Sequence, residues 1–110
     1  MDLLTQLNTL TDELHKSMKD LRKHGYLLAQ AEHDYQIIKA KRVLMMKDAG
    51  ATVTEINLTI KGQPDVAEAM LKRDTAKVLY DANQEHINVV KLEVRVLESQ
   101  IAREWGNAGN

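Results

Sequence analysis

The sequence contains four histidines, the side chains best suited to metal binding and proton transfer, at His15, His24, His33 and His86. Asp12 precedes His15 by three residues, the spacing of the carboxylate-x-x-His element of di-iron helical bundles. Such a centre needs a second element of the same kind, but His86 has Asn83 at the corresponding position. Because a metal site needs several convergent ligands, the sequence predicts no metal and no other cofactor.

The sequence also lacks the signatures of nucleophilic and phosphate chemistry. Cysteine is absent, and Ser17 and Ser99 are the only serines. Neither serine has an evident base and orienting acid, and there is no glycine-rich phosphate loop or nucleophile elbow. We therefore expect a protein without enzymatic activity.

Basic residues form one candidate nucleic-acid surface. The candidate contacts are Lys16, Lys19, Lys23, Lys72 and Arg73. Acidic residues are interleaved with them, and the chain as a whole has 15 Lys and Arg against 16 Asp and Glu. With 4% aromatic residues there is little to stack on bases. The pattern is therefore more typical of a solvated helix face than of a nucleic-acid footprint.

Residues 52–73 offer an alternative of another class, a helix-turn-helix-like DNA-binding segment. In that interpretation Gly62 is the turn and the following helix enters the groove. That helix begins with Asp65 and Glu68 in its first turns, where phosphates would approach, and this charge argues against it.

Two long helices must position all of these residues. Residues 3–48 contain one glycine and no proline, and apolar residues recur every seven positions in two interleaved series. The series are Leu7, Leu14, Leu21, Leu28, Tyr35, Arg42 and Leu3, Leu10, Ser17, His24, Ala31, Ile38, Met45. The second series is weak in its middle, where small and polar residues replace large apolar ones.

A glycine- and proline-bracketed connector follows. Gly50 can end the first helix with a positive φ, and Thr52 can cap a short helix over about 54–61. Pro64 suits the first position of the next helix. That helix is predicted over about 64–105, with a second heptad pattern starting from Val66 and Ala69, and with a frayed tail at 106–110.

These elements predict an all-α fold, a long antiparallel, coiled-coil-like helical hairpin with a short connecting helix, forming one domain over residues 1–110. One competing interpretation is open. Ile56, Leu58 and Ile60 alternate with polar residues, as do residues 90–96, so the two runs could instead pair as a small β-ribbon.

Further apolar residues lie outside the predicted helix–helix seam. Val89, Leu92 and Val96 form a second stripe at spacings of three and four. The short connecting helix could cover this stripe, the chain could associate with itself, or both could hold together. Two helices alone enclose little core, which favours a homodimer or higher oligomer.

The candidate interface combines this stripe with the rings of the sequence. Tyr35 and Tyr80 are the expected ring-bearing anchors of the seam, and Trp105 lies near the apolar chain ends. Ser17 and its neighbours in the weak series should face Asn83 in a polar layer that fixes register and partner number.

Composition agrees with a soluble chain. Apolar residues are 44% and charged residues 28%, and no run approaches the length of a membrane span. The absence of cysteine favours the cytoplasm, and we expect no membrane association.

Several runs resemble small helical proteins encoded by phages and prophages of Gram-positive bacteria. These runs are residues 72–76 (KRDTA), 80–85 (YDANQE), 87–88 (IN) and 101–105 (IAREW). The resemblance implies an accessory protein of the host-cell cytoplasm that binds a host or phage protein. It also leaves open a DNA-binding role in a recombination or replication module, and it assigns no site.

Overall fold

The protein is an all-α helical hairpin, as the heptad patterns predict. A computed structural model describes residues 2–108. It contains α1 (Leu3–Asp48), α2 (Val53–Thr59), a single 3-10 turn (Ile60–Gly62) and α3 (Pro64–Ala108). The described residues include no strand, so the β-ribbon alternative is wrong. Its apolar alternation has another cause: Ile56 and Ile60 are four residues apart on one buried side of the connector, while Leu58 is 80% exposed.

The ends of α1 are set by local hydrogen bonds. At the start, the backbone N–H of Thr5 donates to Oδ1 of Asp2 at 2.7 Å. This bond lowers the pKa of Asp2. At the other end, Gly50 has φ +92°, a conformation that favours glycine, and its N–H donates to the carbonyl of Lys47.

The connector turns the chain within fifteen residues, between Asp48 and Pro64. Thr52 caps α2 as expected, since its Oγ1 accepts the N–H of Glu55 at 3.1 Å. The helix begins at Val53, one residue before the predicted start. Pro64 is the first residue of α3, where its missing N–H costs no helical hydrogen bond.

The chain divides into two units, each containing a segment of α1 and a segment of α3. The connector unit is His24–Tyr80. Its core consists of Tyr35, Ile56, Ile60, Val66 and Ala69. The open-end unit joins the residues up to Lys23 with those from Asp81 onward. Its buried residues are Ser17, Ile87, Val90 and Leu97.

The predicted seam agrees closely with the observed burial. The two α1 series are buried or half-buried from Leu3 to Arg42, and those of α3 from Val66 to Ile101. Met45 departs from the pattern, because it is 56% exposed while Val43 and Met46 pack against the core. An α-helix has 3.6 residues per turn and drifts about 20° per heptad from a strict seven-residue repeat, so the buried face moves off the predicted series.

The end of α3 also differs from the expectation. The helix continues through Gly106 to Ala108, whereas the sequence predicts an end near residue 105 and a frayed tail. One glycine costs a helix only about 1 kcal/mol relative to alanine, and no proline follows it. Residues 109–110 of the predicted tail lie outside the described residues.

Candidate interaction surfaces

Tyr35 is an internal anchor of the connector unit. Its side chain is 4% exposed. The guanidinium carbon of Arg73 lies 4.4 Å from the ring centroid, and Nζ of Lys39 lies 5.8 Å from it. Arg73 also donates to Oδ1 of Asp74 at 3.1 Å, which raises the pKa of its guanidinium. Tyr35 therefore holds α1 to α3, as a seam anchor should, and is not available to an outside partner.

Tyr80, the second expected anchor, packs against Gly25. A Cβ added at Gly25 would lie 3.4 Å from Cε2 and 3.8 Å from Cδ2 of the Tyr80 ring. The weak middle of the α1 series is therefore a place of close helix approach, where a ring on α3 lies against the glycine of α1. Tyr80 is half-buried, like Gly25.

A bidentate ion pair that the sequence analysis missed joins α1 to the start of α3. Nε of Arg42 donates to both carboxylate oxygens of Asp65 at 3.1 Å, and its Nη2 lies 3.1 Å from Oδ2. Asp65 also accepts the N–H of Val66 at 2.9 Å. The hydrogen bond from Arg42 is the main cause of the lowered pKa of Asp65. An arginine at a seam position was the available signal, since it needs a carboxylate partner there.

Ser17 and Asn83 of the predicted polar layer meet in the open-end unit, whereas His24 and Ala31 of the same α1 series belong to the connector unit. Nδ2 of Asn83 donates to the backbone carbonyl of Ser17 at 3.0 Å, and Ser17 is 7% exposed. Close by in sequence, Nε2 of His86 lies 3.0 Å from Oε1 of Glu13. These contacts fix the antiparallel register of α1 and α3 in this unit. No group of three or more His, Asp or Glu side chains within residues 2–108 is placed to hold a metal ion.

The outer stripe of α3 is uncovered. Val89, Leu92 and Val96, called the stripe below, are 44%, 57% and 58% exposed. Our alternative that the short connecting helix covers them is wrong, because all three remain exposed, while Ile56 and Ile60 of the connector are buried in the connector unit's own core. Trp105, the remaining candidate interface residue, is 71% exposed. Tyr35 and Tyr80 belong to the connector unit, whereas the stripe belongs to the open-end unit.

A second surface, missed by the sequence analysis, is an open groove of about 460 Å³ in the connector unit. Its α1 wall runs along one side of residues 27–38 and its α3 wall along residues 65–72. Leu27, Ala31, Ile37, Ile38 and Ala69 supply apolar surface. Asp34, Asp65, Glu68 and Lys72 supply the charges. We call this feature the groove. No single stretch of sequence predicts the groove, because residues of two helices that are far apart in the chain form it together.

The five candidate nucleic-acid contacts are divided between the two units of the chain. Lys16, Lys19 and Lys23 are exposed on α1 in the open-end unit. Lys72, in the connector unit, lies 3.6 Å from Glu68, and Arg73 is held between Tyr35 and Asp74. In the helix-turn-helix-like segment, Ile56, Ile60 and Val66 are buried in the hairpin core. The segment is thus part of the hairpin's closed end.

Comparisons with known proteins give no further guide: no protein-family model, curated protein or solved structure matches the chain. Within residues 2–108, no helix is long and apolar enough to cross a membrane.

Proposed function

We propose that this chain is a non-enzymatic interaction protein that binds through its helices, first of all to a second copy of itself. The stripe is the observation that carries the proposal. Val89, Leu92 and Val96 lie on one side of a helix whose other side is occupied by α1, and each remains more than 40% exposed. Full burial of one such side chain stabilises an association by about 1.5–3 kcal/mol, so covering three supplies a useful part of an interface.

The wider role that we propose is that of a phage-encoded accessory protein acting in the host cytoplasm, with a host or phage protein as a further partner. The resemblance of residues 72–76, 80–85 and 101–105 to phage and prophage proteins supports this. A helical hairpin with exposed apolar positions suits such a role, because helix faces are common recognition surfaces.

Sedimentation equilibrium at tens of micromolar tests the self-association. The wild-type protein should be a dimer or higher oligomer, and Leu92→Glu with Val96→Glu should be a monomer of unchanged helix content. The matched control is Leu44→Glu with Leu58→Glu, which adds the same charge at positions 60% and 80% exposed. A monomeric wild type in this range, where even modest interfaces associate, overturns the proposal.

The alternative function, DNA binding, has one observation in its favour: Lys16, Lys19 and Lys23 are exposed and form no ion pair with the described residues. Fluorescence anisotropy with labelled duplex and single-stranded DNA at two salt concentrations separates the two functions. The interaction proposal expects no tight binding. Tight binding that weakens steeply with salt supports the alternative.

A further inference from the structure

We propose that the stripe of one copy docks into the groove of a second copy, so that association is between two different surfaces and not stripe against stripe. This inference rests on the proposed function and names the surface that receives the stripe. It is carried by the shape of the groove and by the charges around both surfaces.

The groove has the form of a seat for a third helix. Its α1 wall, residues 27–38, is about 17 Å long at 1.5 Å per residue, enough for three turns of a docked helix. The stripe needs two turns. Ala31 and Ala69 lie on the two facing walls, and such small side chains let another helix approach closely. Leu27 and Ile37, which are 43% and 40% exposed, would be covered by it.

The groove carries an excess of negative charge. Three carboxylates and one ammonium group line it. Asp65 is neutralised by Arg42, and Glu68 lies 3.6 Å from Lys72. Asp34 is different, because its nearest cationic partner within the described residues is the imidazole of His33 at 3.6 Å, which is charged only when protonated. The α1 wall therefore presents a carboxylate that forms no ion pair with a lysine or arginine of the described residues.

The stripe carries the opposite charge along one edge. Lys91 and Arg95 lie one helical turn apart beside Leu92, both exposed, and neither forms an ion pair with the described residues. Like charges at this spacing repel each other by a few tenths of a kcal/mol, and a nearby carboxylate would relieve that repulsion. Glu93 lies on the other edge of the stripe. A stripe seated with its basic edge towards Asp34 brings Glu93 to the side of the groove that contains Lys72.

Mixing two defective variants distinguishes this arrangement from a symmetric one. The stripe variant is Leu92→Glu with Val96→Glu, and the groove variant is Leu27→Glu with Ile37→Glu. Each alone should sediment as a monomer, because each lacks one of the two surfaces. An equimolar mixture should form a one-to-one complex, because one intact stripe still meets one intact groove. Circular dichroism of both variants should match the wild type.

Two outcomes overturn the inference while leaving the proposed function intact. The first is a groove variant that still associates as tightly as the wild type, which means that stripe pairs with stripe. The second is a mixture that remains monomeric at tenfold the concentration at which the wild type assembles. A monomeric wild type overturns the proposed function itself and this inference with it.

Charge exchange gives an independent measurement. Asp34→Lys alone, and Lys91→Glu with Arg95→Glu alone, should each weaken self-association by about threefold to tenfold, and the combined variant should recover most of the loss. Asp48→Lys, at the exposed end of α1, is the control with the same change of charge and should have no effect. Losses that add in the combined variant, instead of cancelling, contradict the pairing of Asp34 with the basic edge.

Discussion

Gly25 shows how one residue sets the distance between the helices of the connector unit. The space beside it is filled by the Tyr80 ring, which a Cβ would touch at 3.4 Å, an ordinary van der Waals distance. Gly25 is in the middle of α1, where glycine costs about 1 kcal/mol relative to alanine. The position thus has room for one methyl group and little more.

We predict that Gly25→Ala raises the free energy of unfolding by about 0.5–1 kcal/mol, because the gain in helix propensity is not offset by a clash. Gly25→Leu should lower it by about 1–3 kcal/mol, since the larger side chain must displace Tyr80. Urea denaturation followed by circular dichroism measures both. Destabilisation by alanine would show that the two helices are closer than the structure indicates.

The Arg42–Asp65 pair makes the free energy of unfolding depend on pH in the acid range. The pKa of Asp65 is lowered from 3.8, so the folded chain holds its proton less tightly than the unfolded chain does. The pair's contribution to the free energy of unfolding is complete above the pKa that Asp65 has in the unfolded chain. It is lost as pH falls below about 4 and through the lowered pKa of Asp65 in the folded chain. Since the pair is partly exposed, the effect is modest.

We expect Asp65→Asn to melt at a lower temperature than the wild type at pH 7, with the difference shrinking as pH falls to 3 and below. Thermal melts of both proteins across this range provide the measurement. The control is Asp34→Asn, because Asp34 lies 3.6 Å from His33 and forms no ion pair with an arginine of the described residues. A difference between Asp65→Asn and wild type that is independent of pH would contradict the ion-pair account.

At the scale of elements, the polar layer between α1 and α3 lowers stability but makes the register of the two helices more specific. Asn83 donates to the Ser17 carbonyl in a seam that is otherwise largely apolar, and its neighbours on the same series, Val90 and Leu97, are buried. A half-buried asparagine in a helical seam restricts the register at a cost in stability.

Replacing Asn83 by leucine should therefore raise the melting temperature, because leucine adds apolar surface to the seam where asparagine places a polar amide. The same variant should populate additional oligomeric states, visible in sedimentation as species absent from the wild type. Asn88→Leu on the exposed surface of α3 controls for helix propensity. A lower melting temperature for Asn83→Leu alone would show that the lost hydrogen bond outweighs the added apolar contact.

The helices and their seam were predictable because each follows from a short-range pattern in the sequence. The heptad series locate the buried positions from Leu3 to Arg42, and Gly50, Thr52 and Pro64 mark the connector. The Arg42–Asp65 pair and the groove were not predictable in this way. Both depend on which residues of α1 face which residues of α3, and a shift of register by one turn would give different partners. Periodicity identifies a buried face but does not fix the pairing across it.

At the scale of the whole molecule, the distance along the chain between paired residues grows steadily away from the connector. Arg42 and Asp65 are 23 residues apart, whereas Ser17 and Asn83 are 66 apart. Loop-closure entropy rises with the logarithm of this separation, so the second contact costs about 1 kcal/mol more to form from the unfolded chain. Formation of the connector unit first is therefore the favoured route.

We predict that Val66→Ala slows folding, while Val90→Ala acts mainly by accelerating unfolding. Each removes a fully buried valine from α3 and should cost about 2 kcal/mol at equilibrium. Stopped-flow chevrons divide that cost between the two rates, and the Leu92→Glu with Val96→Glu background removes association from the kinetics. Equal effects of the two substitutions on the folding rate would contradict this order.

The long separation in sequence between the two segments of the open-end unit delays their pairing during synthesis. The first twenty-three residues pair with a segment that begins at Asp81, so Leu7, Leu10 and Leu14 leave the ribosome long before the residues that will cover them. At about 5–20 residues per second the wait lasts several seconds. For that time the amino-terminal half of α1 is an apolar, unpartnered segment open to chaperones and proteases. A ribosome that stalls before Asp81 releases a chain in which this segment never finds its partner, and such a chain should be degraded rapidly.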